Sequence, residues 1–240
     1  MPPMGSATVV LVHGAWCGQW VFWKLAPCLE ARGVRCVPAD LPSCKATDPS
    51  VGPVDDAVYV SQLLDGIDGP VVAVGKSYGG AILSGATAGR RNVSHLVYVA
   101  AFMPEAGEPF QRTTASARLP EFAAGIRLLA DGRVELDAEV GARCAFTHAT
   151  DADHEVWRRK RRPMSIGRDR SIAFDRVGWE AIPSTYIVCG QDRCLDPAAQ
   201  RHWATRATNV IERPYDHSPG VSRPDEIADL LAMIAADTTT

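Results

Sequence analysis

Long apolar runs, paired cysteines and a strong net charge are all missing from this 240-residue sequence. No stretch approaches the roughly 18 uninterrupted apolar residues of a membrane-spanning helix. The N-terminal segment MPPMGSATVV also lacks the basic-then-apolar pattern of a signal peptide. The 7 cysteines include no C-x-x-C pair, and a chain of this length does not need disulfides to fold. We therefore expect a soluble, cytoplasmic protein with reduced thiols and no membrane partner.

Sequence signatures of bound cofactors are missing as well. There is no H-E-x-x-H, no close His/Cys cluster and no acidic calcium loop, and Gly14 and Gly18 do not complete a G-x-G-x-x-G motif. The net charge is -3, whereas nucleic-acid-binding domains are usually strongly basic, so we interpret the basic run 158–162 as the solvated face of a helix. We expect no metal, no cofactor and no nucleic acid, and a small-molecule substrate.

What the sequence does contain is a series of short apolar runs separated by helix-length segments. Several are rich in Val and Ile and apolar throughout, which is typical of parallel strands buried on both faces. Strands that alternate with helices predict an α/β fold. The runs lie at Thr8–Val12, Val34–Pro38, Val71–Val74, Leu96–Ala100, Tyr186–Cys189 and Asn209–Ile211.

The alternation stops between Met103 and about Trp179, where no buried-strand run occurs. We predict helices there at 116–130, 137–147 and 152–162, around a turn at Asp131-Gly132. This division predicts a core formed by residues 1–102 and 180–240. Residues 103–179 would form a helical lid, inserted after the strand that ends near Ala101.

The motif with the clearest chemical meaning is Gly75-Lys76-Ser77-Tyr78-Gly79, which follows the strand-like VVAV and opens a helix-like segment. A turn this sharp crowds the backbone, so the two outer glycines remove side chains that would clash. It would hold Ser77 in a strained conformation with its hydroxyl raised above the sheet. The following helix would direct N–H groups and its positive dipole end at a developing oxyanion. The context predicts Ser77 as a nucleophile.

A serine hydroxyl needs a base within hydrogen-bond reach, and the chain has 6 histidines. Only His217 lies in a loop between the last predicted strand and the final helix, so we predict it as the base. The other five fit turn, surface or packing positions: His13, His95, His148, His154 and His202.

An acid must then accept from the second ring nitrogen of that base. Asp192 and Asp196 both follow the strand at Tyr186–Cys189. We favour Asp192 because it lies closer to the strand end, whereas Asp196 precedes a proline and looks like a helix N-cap. Asp216, next to the base in sequence, stays open as a weaker alternative. The oxyanion would be held by the amide of Tyr78 and by that of Ala15, in the loop after the first strand.

Several segments together resemble the α/β-hydrolase superfamily. These are LVHGAW, the DLP at Asp40–Pro42, GKSYGG, PSTYIVCGQD and HSPGVSRPDEIADLL. Within the superfamily they are most similar to the small esterase group of plant methylesterases and hydroxynitrile lyases, with related microbial enzymes of secondary metabolism. The resemblance covers about residues 8–101 and 183–236, and it implies about six mostly parallel strands flanked by helices.

The resemblance also carries site residues over. The family's triad and oxyanion-hole positions match Ser77, Asp192 and His217 and the amides of Ala15 and Tyr78, in the chain order Ser…Asp…His. Two positions depart from the family. Lys76 replaces the His that commonly precedes the nucleophile, and a buried lysine there would need a carboxylate partner or a lowered pKa. Ser218 replaces the lysine of the hydroxynitrile lyases, which argues against a cyanohydrin lyase.

These residues predict a carboxylesterase-like serine hydrolase that cleaves a small or medium apolar ester through an acyl-enzyme. Two alternatives stay open: the same triad could perform elimination, C–C cleavage or cyclisation of a secondary-metabolite intermediate, or the scaffold could be a ligand receptor. The substrate and the oligomeric state are not specified by the sequence. The substrate pocket is expected to include Trp16, Lys76, Phe102, Met103, Phe122, Phe146 and Trp157.

Overall fold

A parallel sheet lies at the centre of the computed structural model, which describes residues 7–109, 114–169 and 171–238. Within those ranges six strands lie in the order β2-β1-β3-β4-β7-β8, and every neighbouring pair is parallel. Val- and Ile-rich sequence forms these strands because both faces of the inner ones are buried. The expected α/β fold is confirmed. The strands are β1 Thr8–Val12, β2 Cys36–Pro38, β3 Val71–Lys76, β4 Val93–Val99, β7 Ser184–Cys189 and β8 Asn209–Arg213.

Helices flank this sheet, and their ends follow from local sequence. Residues 19–31 form a 3₁₀ turn at Gln19–Phe22 and a helix that begins two residues before Pro27. That start places the proline in the first helical turn, where a missing N–H is tolerated. Gly33, with φ of +73°, follows the end of this helix. The helices of the core are α1 Leu25–Ala31, α2 Pro53–Asp65, α3 Tyr78–Ala86, α7 Pro197–Ala204, α8 Pro219–Ser222 and α9 Pro224–Asp237, with further 3₁₀ turns at Pro42–Cys44 and Gly178–Glu180.

The segment between β4 and β7 holds a hairpin as well as helices. The helix predicted over 116–130 is right mainly at Pro120–Ala124. Before it Arg118 forms an isolated bridge with Leu195, and after it the chain turns into two short antiparallel strands. Gly125 ends the preceding helix at a point where a Cβ would come within 2.6 Å of Val140. The hairpin does turn at Asp131-Gly132, with φ of +87° at the glycine. The elements are α4 Pro120–Ala124, β5 Ile126–Leu128, β6 Val134–Leu136, α5 Ala138–Ala145 and α6 Asp151–Lys160.

The basic run at the end of α6 is partly neutralised by ion pairs. Trp157 is buried, while Arg158 pairs with Glu139 at 2.7 Å and Arg162 pairs with Asp40 at 3.1 Å. No helix in the described ranges is both long and apolar enough to cross a membrane. All 7 cysteines fall inside those ranges, and each is a free thiol.

The order of the strands determines where a site can form. From β1 the chain first adds β2 on one side and then β3 on the other, so the connections diverge between β1 and β3. In open α/β sheets, ligands bind outside the carboxyl ends of the strands at such a point. The loops after β1, β3, β7 and β8 all open there, and they carry Ala15, Ser77, Asp192 and His217.

Candidate active site

The sharp turn between β3 and α3 holds Ser77 in a conformation that few residues adopt. Its φ is +55°, and its N–H donates to the Val99 carbonyl at 3.1 Å. A Cβ at Gly79 would lie 2.6 Å from the carbonyl oxygen of His13, and one at Gly75 would lie 2.7 Å from the Cα of Gly80. Only glycine fits those two positions, and a strained residue of this kind costs about 1–3 kcal/mol. Backbone strain of this kind is found mainly at functional sites.

Three side chains from separate loops meet above this turn. The Oγ of Ser77 lies 3.1 Å from Nε2 of His217, and Nδ1 of the same ring lies 2.6 Å from Oδ2 of Asp192. All three residues are buried. The other two aspartates considered from the sequence are engaged elsewhere: Asp196 caps α7 through the amide of Ala198 at 2.8 Å, and Asp216 accepts from the amide of His148 at 2.9 Å and from two further groups.

The carboxylate of Asp192 is held by four donors. Oδ1 accepts from the amides of Cys194 at 2.6 Å and Leu195 at 3.0 Å, while Oδ2 accepts from His217 and from Nε2 of Gln200 at 2.7 Å. The oxygen of the Gln200 side chain accepts from the Cys189 amide at 2.9 Å. Sequence reasoning missed Gln200, because nothing in its local sequence distinguishes it from other helical glutamines.

Burial determines the charge state of the histidine. Removal from water lowers the pKa of His217 below its ordinary value of 6.5, although Asp192 acts in the opposite direction. Lys76 lowers this pKa further through its positive charge. The imidazole is therefore neutral at pH 7, with Nδ1–H donating to Asp192 and Nε2 free to accept from Ser77.

Ala15 and Tyr78 both line the cavity that opens beside Ser77. Neither the N–H of Ala15 nor that of Tyr78 donates to another residue in the described ranges. His13 stabilises the loop that carries Ala15, since its Nε2 accepts from the Leu41 amide at 3.0 Å and its Nδ1–H donates to the Gly14 carbonyl at 2.8 Å. This buried ring is the structural turn residue that the sequence indicates.

The phenol of Tyr78 is tied into a second buried network, which sequence reasoning also missed. It donates to Oδ2 of Asp56 at 2.7 Å. The same carboxylate accepts from the hydroxyl of Ser43 at 2.6 Å and from its amide at 2.8 Å. Burial raises the pKa of Asp56, against these three donors. The network fixes the first residue of α3 and thereby its N–H.

A cavity of about 460 Å³ opens beside Ser77. It is mostly apolar, and three of the aromatic residues predicted for the pocket line it: Trp16, Phe102 and Phe122. Phe122 packs edge-on against Trp16 at 5.8 Å between ring centres and lies 6.4 Å from the ring of His217. Further lining residues were not predicted, because they come from the loops and hairpin between β4 and β7 or from the loop after β7: Thr114, Ala115, Arg118, Ile126, Leu128, Val134, Met164, Ile166 and Leu195.

The remaining residues predicted for the pocket lie elsewhere. Lys76, Phe146 and Trp157 line a separate space of about 20 Å³ that also touches Ser77 and His217. Met103 lines neither cavity, so that prediction is corrected: its side chain is fully buried in the hydrophobic core. Lys76 is only partly buried and makes no ion pair with any described residue, so it lacks the carboxylate partner expected for a buried lysine.

One group in the described ranges could offer three metal-ligating atoms, namely Asp192, Cys194 and His217. The donors do not suit a metal ion. Burial and the charge of Asp192 raise the pKa of the Cys194 thiol well above its ordinary value, and a metal ligand must be the thiolate. The other two members already share a hydrogen bond. The expectation of catalysis without metal or cofactor remains a prediction.

A parallel α/β sheet with a strained serine at the end of a central strand, opposite a buried histidine, defines a protein of the hydrolase class. The profile of the alpha/beta hydrolase family matches residues 9–230, and the chain belongs to that family. It is therefore an enzyme of the hydrolase type, as the sequence resemblance indicates.

Similar proteins include esterases and a synthase. The chain is 31% identical to methylesterase 2 of Arabidopsis thaliana over 94% of this chain and 95% of that one. It is 27% identical to norfluorocurarine synthase 2 of a Strychnos species, over 94% of each chain. Among solved structures, polyneuridine aldehyde esterase superimposes with a TM-score of 0.82 at 23% identity, covering 96% of this chain and 99% of that one, which shows the shared fold.

Proposed function

We propose that the protein is a carboxylic ester hydrolase that works through an acyl-enzyme. The imidazole of His217 takes the proton of Ser77 as its Oγ attacks the ester carbonyl. The amides of Ala15 and Tyr78 then hold the oxyanion, a contribution worth about 2.7–4 kcal/mol for each donor. The imidazolium, stabilised by Asp192, protonates the leaving alcohol. Water repeats the sequence on the acyl-enzyme and releases the acid.

The observation that carries this proposal is the continuous hydrogen-bonded chain from nucleophile to acid. The Ser77–His217 distance of 3.1 Å and the His217–Asp192 distance of 2.6 Å are those of a serine activated by a buried base. The lowered pKa of His217 supports the assignment, because the base must be neutral to accept a proton.

We assign residues 103–179 as the cap that covers this site, with residues 1–102 and 180–240 as the core. The oxyanion loop contacts the cap directly: the indole N–H of Trp16 donates to the Val134 carbonyl at 3.1 Å, and the Arg162 amide donates to the Trp16 carbonyl at 2.9 Å. Because the cap supplies most of the apolar lining of the cavity, we infer that it selects small or medium apolar esters.

Steady-state hydrolysis of p-nitrophenyl esters, from acetate to octanoate, tests the proposal. We expect multiple turnovers without any partner protein, and loss of at least about 10³-fold in kcat for Ser77→Ala. Ser94→Ala is the matched control, because Ser94 lies at the opposite end of the sheet. Among the described residues its hydroxyl donates only to the Val71 carbonyl, at 3.1 Å. A folded Ser77→Ala variant with wild-type activity overturns the assignment.

A second candidate is a non-hydrolytic reaction by the same three residues on a secondary-metabolite intermediate. The similarity to norfluorocurarine synthase 2 favours it, as does the positive charge of Lys76 near His217. A protein that is inert to the whole ester series, yet reacts covalently at Ser77 with a phosphonylating probe, would support this candidate over the hydrolase. The cytoplasmic location remains a prediction from the unpaired cysteines.

A further inference from the structure

An arginine lies in the lining of the otherwise apolar cavity. Among the described residues that line the 460 Å³ space, Arg118 alone carries a charge, and none is acidic. No residue in 7–109, 114–169 or 171–238 forms an ion pair or a side-chain hydrogen bond with its guanidinium. The other lining side chains with polar groups are neutral. The five N–H donors of this guanidinium therefore have no anionic partner among the described residues.

The backbone fixes this arginine relative to the catalytic loop. Arg118 pairs with Leu195 in an isolated antiparallel bridge. The amide of Leu119 donates to the Cys194 carbonyl at 2.9 Å, and that of Asp196 donates to the Ala117 carbonyl at 2.9 Å. Cys194 and Asp196 belong to the loop that also carries Asp192. The backbone around Arg118 is therefore hydrogen-bonded to the loop that positions His217, and a residue fixed in this way is suited to orient a substrate.

Arg118 is partly buried, and removal from water without a partner is unfavourable for a guanidinium. Loss of water lowers the pKa of Arg118, and no acidic group counteracts the effect. The pKa of an arginine is ordinarily so far above neutral that the side chain keeps its charge at pH 7. A charge that is partly removed from water is stabilised when it is paired. An anion brought in by the substrate would supply the missing partner.

We propose that the preferred substrate is an ester that carries a carboxylate, and that Arg118 binds this group. The inference rests on the proposed esterase function and refines its substrate class: the part of the ester that packs on the cavity lining is apolar, and one carboxylate reaches Arg118. A carboxylate matches the guanidinium fork with two parallel hydrogen bonds. It also balances one positive charge with one negative charge, whereas a phosphate dianion would leave an excess charge in an apolar cavity.

The reaction is hydrolysis of a monoester. The bond between Ser77 Oγ and the acyl carbon forms, the bond from that carbon to the alcohol oxygen breaks, and the alcohol leaves with the proton carried by His217. Water then releases the free carboxylic acid, so the product of a dicarboxylic monoester is a dicarboxylate. Its second negative charge forms beside Ser77, which favours release of the product from the site.

The experiment compares monomethyl and dimethyl esters of a series of dicarboxylic acids, from succinate to suberate. The series finds the spacing between ester and carboxylate that the cavity accommodates. For each acid, kcat/KM is measured for both esters with the wild-type protein, Arg118→Met and Arg118→Lys. Arg159→Met is the matched control, because it makes the same change of side chain and net charge at an exposed position of α6. Hydrolysis of p-nitrophenyl acetate by every variant reports on the catalytic apparatus separately.

We expect the wild-type protein to prefer the monoester at one or two chain lengths, mainly through a lower KM. Arg118→Met should lower the monoester-to-diester ratio by about 10- to 100-fold, as for a lost hydrogen bond to a charged group. Arg118→Lys should keep part of the preference, and Arg159→Met all of it. Active wild-type protein without such a preference, or a preference that survives in Arg118→Met, overturns the carboxylate proposal. Failure of the esterase function itself looks different, because p-nitrophenyl acetate is then not hydrolysed at all.

Discussion

Replacement of Gln200 by leucine tests how strongly the structure holds the acid of the site. The variant removes the 2.7 Å hydrogen bond to Asp192, worth about 1.5–3 kcal/mol for a charged acceptor. It also removes the partner of the buried Cys189 amide, and an unsatisfied group of this kind costs about 1–3 kcal/mol. Together the free energy of unfolding should fall by about 2.5–6 kcal/mol, which lowers Tm by about 5–24 °C in a chain of this size.

The same variant should change the titration of the base. With one donor lost, the charge on Asp192 is less dispersed and stabilises the imidazolium of His217 more strongly, so the pKa of His217 rises. The acidic limb of the kcat/KM profile should therefore move to higher pH, with kcat lowered about tenfold by poorer alignment. A role in stability alone would leave this limb in place.

The measurements are thermal unfolding followed by circular dichroism, and kcat/KM for p-nitrophenyl acetate between pH 5 and 9. Gln62→Leu is the matched control, because Gln62 is an exposed residue of α2. If the Tm of Gln200→Leu stays within about 2 °C of wild type, the buried hydrogen bonds of Gln200 do not stabilise the fold as expected. If the Tm falls and the acidic limb does not move, Gln200 does not position the acid.

Four further predictions follow from contacts of the same site. Because burial lowers the pKa of His217, wild-type kcat/KM should be at its plateau at pH 7 and should fall only below pH 6.5. An acidic limb with its midpoint above pH 6.5 would contradict this. The same group should add stability above pH 6.5 that is lost as the pH falls through its lowered pKa, which urea unfolding at several pH values measures. Gly79→Ala should destabilise the fold by more than about 3 kcal/mol, since its Cβ would lie 2.6 Å from a backbone carbonyl oxygen. Gly66→Ala is the control, because its Cβ would lie 3.6 Å from the nearest atom and should cost little. Equal Tm values for the two variants would refute the prediction. Tyr78→Phe should lose about 1.5–3 kcal/mol in urea unfolding through its bond to Asp56, and an unchanged midpoint would be the contrary result.

The sheet could be predicted because its strands are buried on both faces. That burial requires continuous apolar runs, and the run at Thr8–Val12 became β1 residue for residue. The edge strand β8 was predicted more poorly, ending two residues early, since its residues are largely exposed. The hairpin of β5 and β6 was missed, because strands of three residues are too short to show an alternating pattern.

The residues of the candidate site also divide into those that could be predicted from the sequence and those that could not. Ser77 could be predicted because its turn needs glycines at fixed spacing, and His217 and Asp192 because they follow strand ends that meet at one edge of the sheet. Gln200 and Arg118 could not, since their roles depend on which side chains the fold brings beside them. Met103 was predicted for the pocket although it does not line it. It follows Phe102, which does line the cavity, but its own side chain is buried in the hydrophobic core.

The central claim is that His217 activates Ser77 as a nucleophile, and covalent labelling tests it most directly. The wild-type protein is treated with a fluorophosphonate, and the modified peptide is located by mass spectrometry. The account predicts one phosphonyl group for each chain, on Ser77, with no label in Ser77→Ala, full label in Ser94→Ala and labelling of His217→Ala slowed by at least about 10³-fold. Folded wild-type protein that remains unlabelled, or a Ser77→Ala variant that labels as fast as wild type, would contradict it.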